Sequence, residues 1–140
     1  MADEGEVVVV SLNHRLNILG FLDLSPFDEK YQDSGNLGLA DIVDALKWIQ
    51  ENIAAFGGDP ENITLFGQSG GGMKISALMQ IPEAEGLFHK GIMMSGIAGD
   101  FMEPSSVGDG TEIVTAMLEY LNIPLKEVEK LEKIPYAHLV

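Results

Sequence analysis

The sequence predicts an α/β chain with a short parallel sheet covered by helices. Three observations carry this. Apolar runs of strand length at Val7–Leu12, Ile63–Phe66 and Ile92–Gly96 alternate with longer stretches of helical periodicity. The strands are continuous apolar runs rather than alternating ones, as in sheets buried on both faces. The order strand–helix–strand–helix–strand, followed by two C-terminal helices, calls for right-handed crossovers between parallel strands.

Val7 to Leu12 is β-branched and apolar with one serine, and is expected as a strand buried on both faces. Residues 18–36 carry the turn markers Gly20, Ser25-Pro26 and Asp33-Ser34-Gly35-Asn36 and are expected to be irregular. From Leu37 to Phe56 the residues Leu39, Ile42, Val43, Leu46, Ile49 and Ile53 recur at helical spacing. Asp41, Asp44, Lys47 and Glu51 fall on the opposite face, with Asp44 and Lys47 spaced to pair, and Trp48 flanks the packed side. Gly57-Gly58 ends this helix and Asp59-Pro60-Glu61-Asn62 turns the chain. A second strand, Ile63–Phe66, leads into a glycine cluster around Ser69. The helix beyond it buries Ile75, Leu78 and Met79 and stops before Pro82. A third short buried strand spans Ile92–Gly96, an exposed loop Ala98–Gly110, and two acidic helices Thr111–Leu121 and Leu125–Ile134. The 140 residues are one domain's worth of chain, with no internal repeat and no boundary between domains.

Composition narrows the function. The net charge of −14, from 8 Lys plus Arg against 22 Asp plus Glu, argues against unaided binding of nucleic acid or anionic membranes. With no cysteine, disulfides, thiolate metal sites and cysteine nucleophiles are excluded. No apolar run has the length of a transmembrane helix, and the acidic start Met1–Glu6 is unlike the basic start of a signal peptide. A cytoplasmic location is the expectation.

Gly67-Gln68-Ser69-Gly70-Gly71 matches G-x-S-x-G, the nucleophile elbow, in the strand–turn–helix context that the motif requires. A serine on so tight a turn brings the residues two before and two after it together, so Gly67 and Gly71 are expected to remove clashing Cβ atoms. The turn would hold the Ser69 hydroxyl at a helix N-terminus, where the Gly70 N–H could stabilise the oxyanion of a tetrahedral intermediate. The bland alternative is a glycine-rich turn whose serine caps the helix. Phosphate loops fail: Met73 stands where G-x-x-x-x-G-K needs lysine, and Ser69 where G-x-G-x-x-G needs glycine.

Several further blocks occur in order: Asn13-His14-Arg15-Leu16, Leu19-Gly20-Phe21-Leu22, Gly35-Asn36-Leu37-Gly38-Leu39-Ala40-Asp41, Trp48 to Pro60, Gly86-Leu87-Phe88-His89 and Ser95-Gly96. Together with the serine motif they resemble the type-B carboxylesterase family, which includes para-nitrobenzyl esterases and cholinesterases. The resemblance runs from about Val7 to Gly96 and continues more weakly through the last two helices. It implies part of an α/β-hydrolase fold, and hydrolysis of small-molecule carboxylic esters through an acyl-enzyme without metal or organic cofactor. Ser69 matches the family's nucleophile and Gly70 its oxyanion-hole N–H. Arg15 and Asp59 match positions expected to form an ion pair, and Ser95 a buried serine behind the site, where residue type alone suggests a plain strand-end serine.

The sequence departs from the family at two places. The family usually has Glu where Gln68 stands, so a buried ion pair is expected to be lost, and Ala where Gly70 stands. The family's oxyanion loop lies upstream, and its acid and histidine lie downstream, so the chain is expected to be an internal segment with an incomplete triad and little or no activity alone. Only His89 and His138 follow Ser69, and neither is expected to act as base; Asp100 and Glu103 are acids only by lying in a loop after a strand. Strands that become edges in such a segment are expected to promote self-association. The competing function is a non-catalytic, cholinesterase-like binding or remnant module.

Overall fold

The computed structural model describes residues 2–96 and 110–139. Two compact units form: Met1–Arg15 with Gly38–Met102, and Leu16–Leu37 with Glu103–Val140.

The first unit contains a one-turn helix α1 (Ala2–Gly5), most of a long helix α3 (Leu37–Asn52), strand β1 (Thr64–Gln68), helix α4 (Gly70–Leu78) and strand β2 (Lys90–Met94). The second contains the short helix α2 (Asn17–Phe21), helix α5 (Thr111–Tyr120) and several 3-10 turns. No helix among the described residues is long and apolar enough to cross a membrane.

α3 forms where the periodicity places it. Ile42, Val43, Leu46 and Ile49 are buried on one face, and the helix tightens into a 3-10 turn over Ile53–Phe56. Gly57 then takes φ 83°, a left-handed conformation open to glycine, and its N–H closes on the Ala54 carbonyl at 3.1 Å. Together with Ile53, Leu78, Ala84 and Leu87, the α3 residues make the unit's core, against which Leu12, Leu39, Ile63 and Leu65 pack. Trp48 is not part of it. It is exposed and lies tilted against Phe56, ring centroids 6.3 Å apart, because its position is turned off the Ile42–Leu46–Ile49 stripe.

β1 and β2 pair in parallel, Thr64 opposite Lys90 through Gln68 opposite Met94, with α4 as the crossover. The face carrying Leu65, Gly67, Gly91 and Met93 receives α4; an added Cβ on Gly91 would stand 3.1 Å from the Ile75 side chain. The opposite face is bare, leaving Phe66 50%, Ile92 54% and Met94 43% exposed. β2 is therefore a strand at the expected place but not a buried one: its apolar character serves two faces and only one is covered. Met79, at the end of α4, is exposed as well.

Val7–Leu12 corrects the expected strand order. The segment forms no ladder, and Val7, Val8, Val9 and Val10 are all exposed or nearly half so. A β-branched run becomes a strand only where a neighbouring edge supplies partners. The edge of β1 facing it is separated from it by an open slot. The sheet of the described residues is two-stranded.

Arg15 anchors this segment, but on Asp41 rather than on the expected Asp59. Its guanidinium donates to both Asp41 oxygens, Nη2 to Oδ1 at 2.6 Å and Nε to Oδ2 at 2.9 Å, and its backbone N–H adds a bond of 2.8 Å. Asp59 instead accepts the Glu61 N–H at 2.9 Å and shapes the turn after Gly58. The Arg15 side-chain and backbone hydrogen bonds hold the Asp41 carboxyl down at about 2. An unfolded aspartate titrates near ~3.9. Folding therefore favours the ionised form, and the stabilisation is complete above that value and lost as pH falls from about 4 towards 2. Because the Arg15 side chain is 46% exposed, solvent screening reduces the effect. We expect Asp41→Asn to cost about 1 kcal/mol at neutral pH and to flatten the acid limb of a urea-midpoint-against-pH curve.

In the second unit Val114, Leu118, Val128 and Leu131 form the core, with Leu22, Leu24, Phe27 and Tyr31 against it. Two differences from expectation lie here. The segment before α3 holds α2 and two 3-10 turns rather than irregular chain, with Ser34 Oγ, buried, accepting the Leu24 N–H at 2.7 Å. Leu125–Lys133 is 3-10 rather than α-helical, interrupted at Glu127 (φ −120°, ψ 34°). Its buried pair Val128 and Leu131 is spaced by three, which suits a repeat of three residues per turn. The Tyr31 hydroxyl donates to Glu132, and Lys30 reaches the same carboxylate at 3.1 Å, tying the two halves of this unit.

Candidate active site at the Ser69 turn

β1 ends at Gln68 and α4 begins at Gly70, so the whole reversal from strand to helix falls on Ser69. Ser69 takes φ 51° and ψ −117°, a combination costly for a residue with a Cβ. Its side chain is exposed and makes no capping bond to α4, which removes the helix-cap reading. The backbone holds it instead. The Ser69 N–H donates to the Met94 carbonyl at 2.8 Å, fastening the turn to the end of β2, and the Ser69 carbonyl accepts from Met73 N–H at 3.0 Å.

That second bond is the first of α4, so the N–H groups of Gly70, Gly71 and Gly72 precede the helical ladder. They form the positive end of the helix beside the Ser69 side chain.

The turn fits because three glycines leave it room. A Cβ on Gly67 would stand 2.6 Å from the Gly71 carbonyl carbon. One on Gly72 would stand 2.5 Å from the Gly96 oxygen, and one on Gly96 only 1.9 Å from the Ser69 oxygen. Gly71 differs from the expectation: nothing lies within 4 Å of its Cβ position. Its backbone is what Gly67 must clear, so the need for glycine is one-sided. Gly72 and Gly96 were the residues that motif reasoning missed. Three consecutive glycines after the serine, where the motif asks for one, and a second Ser-Gly pair at the end of the next strand are the signals that mark them.

Ser95, expected to be buried, is exposed at the end of β2 with φ 51°, the same positive φ as Ser69. It is a strand-end residue whose turn carries Gly96 under Ser69. Gln68 is exposed too. Gly70 is half-buried and its nearest neighbour, Lys74 Nζ, lies 3.6 Å from a would-be Cβ. Lys74 Nζ also approaches the Gly70 carbonyl at 3.4 Å. Alanine therefore fits at 70, and we expect Gly70→Ala to raise stability by about 0.5 kcal/mol, read as a higher urea midpoint, through reduced freedom of the unfolded chain.

His89 is remote from this turn. It precedes β2, at the opposite end of the ladder from Met94, about 17 Å away at the ordinary rise per residue. Its Nδ1 accepts the Ile63 N–H at 3.1 Å and its own N–H donates to the Ile63 carbonyl at 2.9 Å, so the ring clamps the start of β1. His138 belongs to the other unit, in the 3-10 turn Tyr136–His138. Asp100, Glu103 and most of the expected loop Ala98–Gly110 lie outside the described residues. Among the described residues no His, Cys, Asp and Glu side chains gather as a metal site would require.

Comparison with known proteins agrees with the geometry. The profile of the carboxylesterase family matches residues 1–133. A para-nitrobenzyl esterase of Bacillus subtilis (strain 168) is 48% identical over 140 residues, all of this chain and 27% of that protein. A phenmedipham hydrolase of Pseudarthrobacter oxydans is 42% identical over 139 residues, 99% of this chain and 26% of that protein. Among solved structures, an esterase from Clostridium hathewayi, described as able to hydrolyse aliphatic aromatic polyesters, superposes with a TM-score of 0.90 at 57% identity. That match covers 99% of this chain and 27% of the other. A thermophilic para-nitrobenzyl esterase superposes with a TM-score of 0.85 at 47% identity, again over 99% of this chain and 27% of the other. The chain thus spans about a quarter of the length of the relatives it matches, and its parallel strands and flanking helices are part of an α/β-hydrolase fold. With the family profile covering nearly its whole length, the chain belongs to the carboxylesterase family.

Proposed function

We propose that this chain carries the serine nucleophile of a carboxylic-ester hydrolase, with Ser69 forming the acyl-enzyme and the Gly70 N–H contributing to the oxyanion hole. The observation that supports the reading most is the Ser69 turn itself. An exposed hydroxyl, held at positive φ between β1 and α4 among three closely packed glycines, Gly67, Gly72 and Gly96, is an expensive arrangement for a residue with no capping role.

In this chemistry Ser69 Oγ attacks the ester carbonyl carbon while its proton passes to a base. The carbonyl oxygen gathers negative charge beside the Gly70 N–H, and the alcohol leaves once protonated. Water then cleaves the acyl-serine by the same route reversed. The base is not His89, whose ring is committed to Ile63. The substrate class is a small-molecule carboxylic ester, in keeping with the name of the para-nitrobenzyl esterase relative.

The test is a chimaera in which these 140 residues replace the matching segment of the Bacillus subtilis para-nitrobenzyl esterase. A fluorophosphonate is expected to label Ser69 stoichiometrically, located by peptide mapping. A folded chimaera that takes up no label and hydrolyses no ester would instead favour the binding-module reading, and one that hydrolyses esters with Ser69 unlabelled would place the nucleophile elsewhere.

A further inference from the structure

The first turn of α4 consists of glycine, with one lysine folded back over it. Gly70, Gly71 and Gly72 open the helix, and glycine leaves a backbone its greatest freedom. Gly72 is fixed by close packing, since a Cβ there would stand 2.5 Å from the Gly96 oxygen. Gly70 has a different neighbour. Chain neighbours and the helix backbone aside, Lys74 Nζ is the one atom among the described residues within 4 Å of its Cβ position, at 3.6 Å. The same ammonium reaches the Gly70 carbonyl at 3.4 Å. Ordinary covalent geometry then puts it within about 6 Å of the Gly70 nitrogen.

This placement does little for the helix. A cation near a helix N-terminus opposes the macrodipole. Lysine is mostly an exposed residue, and Lys74 is half-buried. The contact matters for what the Gly70 N–H is asked to do. An oxyanion donor works only if it is held in place before the charge develops, and a shift of about 1 Å can cost about 10²-fold in rate. A donor on glycine, with no side chain of its own to pack, needs its restraint from elsewhere.

We propose that Lys74 is a positioning residue for ester hydrolysis: its ammonium restrains Gly70 so that the Gly70 N–H stays aimed at the oxyanion. It does for glycine what a packed Cβ does for another residue. The proposal rests on the reading of Ser69 as nucleophile and of the Gly70 N–H as oxyanion donor.

In the chimaera, Lys74→Met should lower kcat for para-nitrophenyl acetate about tenfold, with KM within about twofold of the parent. That is less than the loss of an oxyanion donor outright. Lys74→Arg keeps the charge and a donor, and its kcat should stay within about threefold of the parent. A Gly70→Ala background separates bracing from charge. There a Cβ restrains the backbone, so adding Lys74→Met should cost less than about threefold, whatever the rate of Gly70→Ala itself. In the 140-residue chain, NMR relaxation should give the Gly70 N–H a lower order parameter in Lys74→Met than in the parent, with Leu78 unchanged. An unchanged kcat or an unchanged Gly70 order parameter would overturn the proposal. So would an equal loss in the Gly70 and Gly70→Ala backgrounds, because Lys74 would then act by its charge and not through Gly70. Ser69→Ala in the same chimaera tells the two readings apart. A rate that survives Ser69→Ala overturns the nucleophile reading and this proposal with it; a rate that Ser69→Ala abolishes and Lys74→Met spares overturns this proposal alone.

Discussion

Replacing Gly96 with alanine should unseat the Ser69 turn and cost about 3 kcal/mol or more, the range in which backbone overlap rather than lost contact area dominates. The new Cβ would begin 1.9 Å from the Ser69 carbonyl oxygen and 2.8 Å from its carbon. Both are backbone atoms, and the oxygen is the acceptor that starts α4. Relief therefore requires moving either the end of β2, where Met94 holds the Ser69 N–H, or the first turn of α4, which packs through Gly72 on the Gly96 oxygen. No side-chain rotation relieves this overlap. Gly71→Ala is the matched control: it adds the same methyl group one residue from Gly72 into space with no atom within 4 Å. It should be neutral or slightly stabilising, by up to about 0.5 kcal/mol. Urea denaturation of the two variants, with amide exchange at Met73 as the local readout, decides the matter. Equal midpoints for the two would show that Gly96 does not support the turn.

The contrast between Gly71 and Gly96 also shows what the sequence makes legible. The motif places a strand, a turn and a helix around Ser69, because a run of β-branched residues, a glycine cluster and a 3.6-residue repeat are local features. Which glycine clears which backbone is a matter of tertiary contact: Gly96 is 27 residues from Ser69 in sequence, and nothing local ties them. α3 was legible almost to the residue, since six apolar positions and the Gly57 stop all point one way. Val7–Leu12 was not. Four valines specify an extended backbone but cannot supply a ladder partner, and the same run stands outside the sheet where no edge reaches it. The partner of Arg15 was obscure for a similar reason. Asp41 sits on the polar side of α3 by periodicity and reads as a solvated charge. Only the path of the chain beyond Val10 brings the guanidinium onto it.

Ser69→Ala should remove at least 10⁴-fold of kcat/KM for para-nitrophenyl acetate in the chimaera, about 5.5 kcal/mol of transition-state stabilisation. This follows if Ser69 makes the covalent bond, because the oxyanion donors and the binding pocket that remain can sustain only the residual rate of a triad enzyme stripped of its nucleophile. The exposed Ser95, which shares a positive φ but lies at the end of β2, is the control: Ser95→Ala should change the rate by less than about fivefold. The 140-residue chain by itself should behave differently. Its Ser69 hydroxyl is exposed between β1 and α4, but His89 holds the far end of the sheet, away from it, so without a base the hydroxyl should remain a poor nucleophile. Rapid mixing with para-nitrophenyl acetate should therefore give no burst above background hydrolysis. A stoichiometric burst that Ser69→Ala abolishes would mean that a base acts within these residues, and the assignment of His89 to a purely structural clamp would have to be given up.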